Sequence, residues 1–203
     1  EPSAIVADLD ILKKSPYKFA AAGAGDVISN ISALEDWKIA AKAKKEEYHT
    51  VMAELSRLST TSVIENVNDI KEYNYHGIEM LLWALVSSGF AMNIYGSSRP
   101  CSGSEHNISH SLDNLDVHGL HGEQVAIASL ISLYLQKKDW KIQKETMKKL
   151  GLPVKLNELD IEKETMIKAL VKAKDIRDRY TILDEANLDE EKAEFILKKI
   201  GLI

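Results

Sequence analysis

Cysteine is nearly absent from this 203-residue chain: Cys101 stands alone, which excludes an internal disulfide framework and suits a reducing compartment. Proline and glycine are sparse, four and ten residues, so neither a loop-rich scaffold nor a disordered chain is expected. No excess of basic residues exists: Lys and Arg number 26 against 31 Asp and Glu, the net charge is −5, and lysines alternate with glutamates instead of forming a patch. Nucleic acid is therefore not an expected partner. Long apolar runs are missing too. The best, MLLWALVSSGFAM at 80–92, is too short and interrupted to span a bilayer, and no signal-peptide pattern opens the chain, so a cytoplasmic location is expected. There is no fixed-period repeat and no low-complexity segment.

What is present is a chain long enough, at 45% hydrophobic residues, to bury the core of one domain. It opens without Met on EPSAIVADLDIL, and AIVAD has a strand-like pattern leading in from something upstream, so a fragment of a larger protein is expected, with 1–13 as lead-in strand or linker. SPYKFAAAGAGD carries a loop signature. Beyond it, apolar residues recur at helical spacing and predict helices over Val27–Glu46, Tyr48–Leu58, Ser62–Tyr73, Tyr75–Tyr95, Ser104–Asp113, Gly122–Lys138, Trp140–Leu150, Glu158–Ala173 and Asp189–Ile200. Loops are predicted at 96–103, 150–160 and 180–191. The fold class is all-α, a multi-helix bundle filling 1–203, with 140–203 as a C-terminal helical subregion. In that subregion LGLP marks a helix stop, and an apolar stripe of Ile161, Met166, Leu170 and Val171 reads as packing with no chemistry.

Four of the six histidines fall within SGSEHNISHSLDNLDVHGLHGE at 102–123. On a helix, His106 and His110 are one turn apart and share a face. His121, just past the turn holding Gly119, can look into the same space, and one carboxylate would complete a site of the kind that holds catalytic zinc. The competing reading is a set of ordinary histidines. His118 lies in the turn itself, and His49 and His76 are isolated. GAGD at 23–26 suggests a glycine-rich turn before a helix, but GAGDVI has Ile28 where the dinucleotide fingerprint needs glycine or alanine. Asp26 then reads as a helix N-cap in preference to a metal ligand.

GAGD at 23–26 with EDW at 35–37, GSSRPCSGSEHNISHSLD at 96–113 and LHGEQVAIA at 120–128 closely resemble the sn-glycerol-1-phosphate dehydrogenases, a branch of the iron-containing alcohol dehydrogenase and glycerol dehydrogenase superfamily. The resemblance fades into the tail. It implies the C-terminal metal domain of a two-domain enzyme whose N-terminal Rossmann-like domain, binding NAD(H) or NADP(H), is absent from this chain. It implies Asp26, His106 and His121 as ligands of a catalytic Zn2+, with Fe2+ or Ni2+ as alternatives, and His110 as a substrate contact. The implied reaction is reversible reduction of dihydroxyacetone phosphate to sn-glycerol 1-phosphate, for archaeal-type ether phospholipid backbones, by a homo-oligomer. Arg99, with Ser98, is a candidate phosphate contact, the competing reading being an exposed loop arginine. Two departures from the family pattern stand out: Cys101 where Ala is common, and Asn30 where Lys is frequent, in a position to alter the substrate environment. The same ligand triad would serve a glycerol dehydrogenase acting on unphosphorylated glycerol, or a non-redox metal-binding or lyase domain.

Overall fold

The computed structural model describes residues 3–203. Eleven α-helices occur among them, with three short 3-10 turns and no strand. The central element is α2 (Tyr17–Lys42), a 26-residue helix entered through Pro16, whose fixed φ suits a helix start. Around it lie α3 (Thr50–Glu65), α4 (Val67–Glu72), α5 (Tyr75–Tyr95), α6 (Ser104–Asp113) and α7 (His121–Leu135). The tail supplies α8 (Trp140–Leu150), α9 (Lys163–Lys172), α10 (Ile182–Ala186) and α11 (Glu190–Lys199), and a short α1 (Leu9–Lys13) precedes α2.

The expected lead-in strand is not formed. Its first two residues lie outside the described ones, 4–8 carry no regular structure, and 9–13 form α1, capped by Asp8 accepting the Asp10 and Ile11 amides. Nor is SPYKFAAAGAGD a loop. Its alanines favour helix and its two glycines, each costing about 1 kcal/mol in a helix interior, are retained inside α2. The reason is where α2 crosses α7: a Cβ on Gly25 would stand 2.6 Å from the Gly122 carbonyl oxygen, and one on Gly122 would stand 1.9 Å from that of Ala22. Only glycine at both positions lets the two backbones come this close.

The main core gathers Ile28, Ile108, Leu112, Ile127, Leu130 and Ile131 from α2, α6 and α7 with Met147, Leu150, Met166 and Leu170 of the tail. Ile161, Met166 and Leu170 of the predicted stripe are buried, and Val171 is half-buried. A satellite cluster packs Trp37 against Leu34, Met52 and Ala53, with Tyr48 and Tyr95 at ring-centroid distances of 4.9 and 4.7 Å. The predicted stop at LGLP is real: Gly151 takes φ 72° after α8. α5 corrects the expectation about apolar runs. By length and composition it reaches what a membrane span needs, with mean hydropathy 1.4 over an 18-residue window. It packs instead on α2, α3 and α4, leaving Trp83, Phe90 and Ile94 exposed.

Candidate metal centre

Asp26 sits in the middle of α2, so its reading as a helix N-cap is overturned: with GAG folded into the same helix, there is no start for it to cap. The α2–α7 crossing carries Asp26 to the first residue of α7, His121, because each neighbours one of the two glycines in contact. α6 brings His106 and His110 to the same place. One donor atom from each of Asp26, His106 and His121 lies within 4.8 Å of the others, and these three are the group of metal-capable side chains found among the described residues. His106 Nε2 is 3.4 Å from Asp26 Oδ1. The edge of a tetrahedral site with bonds of about 2.1 Å is about 3.4 Å. Ring centroids of His106 and His121 are 5.2 Å apart, and His110 stacks over His121 at 5.8 Å.

Second contacts decide which nitrogen faces the cluster. Glu105, fully buried, accepts from His106 Nδ1 at 2.9 Å while also accepting from Ser32 Oγ at 2.8 Å and the Gly103 amide at 2.5 Å. Ser109 Oγ donates to Gln124 Oε1 at 2.9 Å, leaving its lone pairs for His121 Nδ1–H, 3.4 Å away. Both patterns assign the proton to Nδ1 and turn Nε2 toward the shared space, the arrangement that metal-binding imidazoles use.

Electrostatics agree. Burial alone would lower the His106 pKa, but hydrogen bonds to Asp26 and Glu105 and their charges reverse this and push it up to about 9. Without a metal, this position therefore demands a cation and takes a proton. His121 is held below its ordinary value by burial and then by the His106 charge, so it is neutral and free to coordinate. Two neutralisable imidazoles, one carboxylate and a buried carboxylate behind them are a donor set that fits a divalent transition metal.

Asp36, in the EDW string, explains how α6 is aimed. It is fully buried; Oδ2 accepts the Ser104 amide at 2.6 Å, at the start of α6, and Oδ1 accepts the Ile182 amide at 2.8 Å. Burial and the nearby Glu105 charge raise its pKa to about 6. In the sequence, EDW stands out only through the family resemblance. A lone buried acid between helices carries no spacing signal.

Other expected site residues fall as follows. His110 is part-exposed beside the triad, its Nδ1 3.5 Å from Asp113 Oδ2. His118 is exposed in the turn. Arg99 is neither an exposed loop residue nor turned to the centre. It is fully buried, its Nη2 donating to the carbonyls of Asp36 at 3.0 Å and Tyr180 at 2.8 Å. The Glu46 carboxylate lies 2.5 Å from Nε, an ion pair not aligned as a hydrogen bond. These contacts commit Arg99 to joining α2, the 96–103 segment and the tail. Ser98 accepts from Arg179. Asn30 is buried and donates to Ser88 of α5 at 3.0 Å, so it too is a packing residue. Cys101 is buried and unpaired, with burial raising its thiol to about 11. An apolar concavity of about 1200 Å³ lies between Ser3, Ala4, Ile5 and Ala7 and the face of α5 that carries Trp83 and Phe90; it contains none of the histidines.

No protein-family model matches the chain. Over its whole length it is 46% identical to a protein from Pyrococcus abyssi named glycerol-1-phosphate dehydrogenase, NAD(P)+, and covers 59% of that protein. It is 43% identical to one of the same name from Thermococcus kodakarensis, covering 58% of it. Over 90% of the chain it is 44% identical to one from Methanosarcina mazei, covering 52%. The chain thus spans little more than half the length of the curated relatives it matches. Among solved structures, a probable glycerol dehydrogenase from Sinorhizobium meliloti shares its fold with TM-score 0.75 and 21% identity, over 98% of this chain and 59% of that one. Glycerol dehydrogenase from Schizosaccharomyces pombe does so with TM-score 0.70 and 18% identity, over 95% and 52%.

Proposed function

We propose that this chain, homologous along its whole length to part of the glycerol-1-phosphate dehydrogenases, is the metal- and substrate-binding half of such an enzyme, a cytoplasmic oxidoreductase that reversibly reduces dihydroxyacetone phosphate to sn-glycerol 1-phosphate. The observation that carries this reading is the meeting of Asp26, His106 and His121, brought from three helices, with His110 stacked beside them. A divalent cation held by the three, zinc on this reading and iron or nickel as chemically admissible substitutes, would supply an electrophile that polarises a ketone oxygen.

The chain's own residues do the rest. Asp26 offers a single negative charge, so the occupied site keeps net positive charge. Glu105 and Ser109 hold the two imidazoles in the productive tautomer before substrate arrives, which avoids reorganisation during the reaction. His110 has its pKa lowered by burial and then by the nearby Arg177 charge, so its neutral form is favoured and can accept a hydrogen bond from a substrate hydroxyl, or relay a proton by giving up its N–H to the reduced oxygen as its other ring nitrogen takes one from solvent. Hydride comes from NADH or NADPH, which this reading assigns to a nucleotide-binding domain outside the chain.

The test is metal content by mass spectrometry on the purified chain beside Asp26→Ala, His106→Ala, His121→Ala and His118→Ala. Near-stoichiometric zinc that the first three abolish and the fourth leaves intact supports the reading. Zinc that is absent, or that survives the three changes, overturns it.

A further inference from the structure

The segment after α9, 173–180, lays two arginines against the SGSEHN string. Arg177 donates from Nε to Asn107 Oδ1 at 2.9 Å and from Nη2 to Ser102 Oγ at 3.0 Å. Arg179 donates from Nη1 to the Ser102 carbonyl at 2.6 Å and from Nη2 to Ser98 Oγ at 3.0 Å. Every one of these acceptors is neutral, and among the described residues neither arginine forms an ion pair. Asp175 and Asp178, close in sequence, do not pair with them.

Neither half-buried cation has a carboxylate at ion-pair distance; Glu105, and for Arg179 also Glu46, compensate only from further away, an unfavourable arrangement. Burial lowers both guanidinium pKa values, and the charges of Arg177 and Arg99 help bring that of Arg179 to about 10. Arg179 is committed at both ends to backbone and serine. Arg177 uses two of its five N–H groups on Asn107 and Ser102, which leaves three free. Asn107 is itself fully buried and its Nδ2 has no acceptor. What the Asn107 side of Arg177 lacks is a further acceptor and a directly paired anion.

The corner also adjoins the metal centre. Asn107 follows His106 in α6 and precedes His110 by three residues, about 4.5 Å along the axis. Arg177 is close enough to His110 for its charge to be, after burial, the main influence depressing that imidazole.

We propose that Arg177, seated on Asn107 and Ser102, is an anion subsite beside the Asp26–His106–His121 centre that receives the phosphate of a phosphomonoester substrate. This assignment rests on reading the chain as the substrate-binding half of a dehydrogenase acting on a phosphorylated triose. It gives the selectivity for phosphorylated over free ligand to a tail residue, not to Arg99, and the guanidinium fork matches two phosphate oxygens at once.

The experiment is calorimetric titration of the zinc-loaded 203-residue chain with inorganic phosphate, dihydroxyacetone phosphate and dihydroxyacetone, for the native protein and for Arg177→Gln, Arg177→Lys and Arg179→Gln. Melting temperature and zinc content are read in parallel. Expected are phosphate binding by the native chain, a loss of about tenfold or more for both phosphorylated probes in Arg177→Gln, and unchanged zinc and dihydroxyacetone binding. Phosphate affinity equal to native in Arg177→Gln, or no phosphate binding by a chain that holds zinc, overturns the subsite. Should Arg177→Gln unfold the chain, Arg177→Lys decides: weakened phosphate binding in a folded protein supports the fork, and native-like binding overturns it. If zinc fails to bind while phosphate binding still depends on Arg177, the subsite stands and the dehydrogenase reading falls.

Discussion

Gly25 and Gly122 meet backbone to backbone where α2 crosses α7, and their chain neighbours Asp26 and His121 are two of the three candidate ligands. The helix contact and the ligand contact are therefore one feature: any side chain in the crossing moves the donors apart. Gly122 is the tighter position, since its added Cβ would lie 1.9 Å from a backbone oxygen against 2.6 Å for Gly25. Backbone cannot rotate away as a side chain can. Gly122→Ala is expected to destabilise by about 3 kcal/mol or more and Gly25→Ala by about 1–3 kcal/mol, each with loss of zinc affinity beyond that of an equally destabilised core variant such as Leu130→Ala. Urea unfolding and zinc titration on the three variants check this; glycine variants that match Leu130→Ala in zinc affinity would separate packing from ligation.

Glu105 fixes the His106 ring from behind. Glu105→Gln retains shape and one acceptor but removes the charge that makes Nε2 a stronger donor to the cation. Zinc affinity is expected to fall about 10–100-fold with no ligand lost, and Glu105→Ala is expected to fall further. Competition with a chromophoric chelator measures it. An unchanged affinity in Glu105→Gln would reduce Glu105 to a helix-packing residue.

The sequence made the helices legible wherever a helix is amphipathic or bounded by strong signals: Tyr75–Tyr95, Ser104–Asp113 and Trp140–Leu150 are found to the residue. It misled at α2, because glycine pairs that open a turn and glycine pairs that permit a helix crossing look alike until the partner helix is known. It missed α1 and α10, five residues each, where capping by Asp8 and Thr181 does the work of periodicity. At the site, His106, His110 and His121 could be singled out because they share one stretch. Asp26 needed the resemblance, since it is 80 residues from the first of them. Arg177, Glu105 and Asp36 act through contacts between distant segments, which no local pattern encodes.

Arg99 is a structural cation. Removing it leaves the part-exposed Glu46 unpaired and takes from the carbonyls of Asp36 and Tyr180 the donor that ties α2 to the tail. Arg99→Ala is expected to cost about 1–3 kcal/mol of stability and Arg99→Lys nearly as much, because an ammonium cannot reach three partners in a plane. In whatever fraction remains folded, phosphate affinity should be native, the reverse of the Arg177 variants. Denaturant midpoints and phosphate titration at low temperature read the two effects separately; a stable Arg99→Ala with weakened phosphate binding would restore Arg99 as the ligand contact.

His106 gives the metal-free protein a pH dependence whose sign is fixed. Asp26 Oδ1 and Glu105 Oε1 flank its two nitrogens at 3.4 and 2.9 Å, and although burial opposes it, they hold the imidazolium to about pH 9. An unfolded histidine titrates near ~6.5, so between those values the native chain keeps a proton that the unfolded chain releases. The stabilisation is fully present below about pH 6.5 and is lost as pH rises through the folded pKa. Its size is on the order of 3 kcal/mol. Asp36, with its pKa raised to about 6 by burial and Glu105, shifts stability in the same direction, but mainly below this window. Urea unfolding of the chelator-treated chain at pH 6, 7.5 and 9 should show the decline, and His106→Gln should flatten it. Zinc competes with the same proton, so its affinity should climb across the same interval. A metal-free stability that holds level to pH 9 would mean that the two carboxylates do not converge on His106, and the donor arrangement of the centre would not stand.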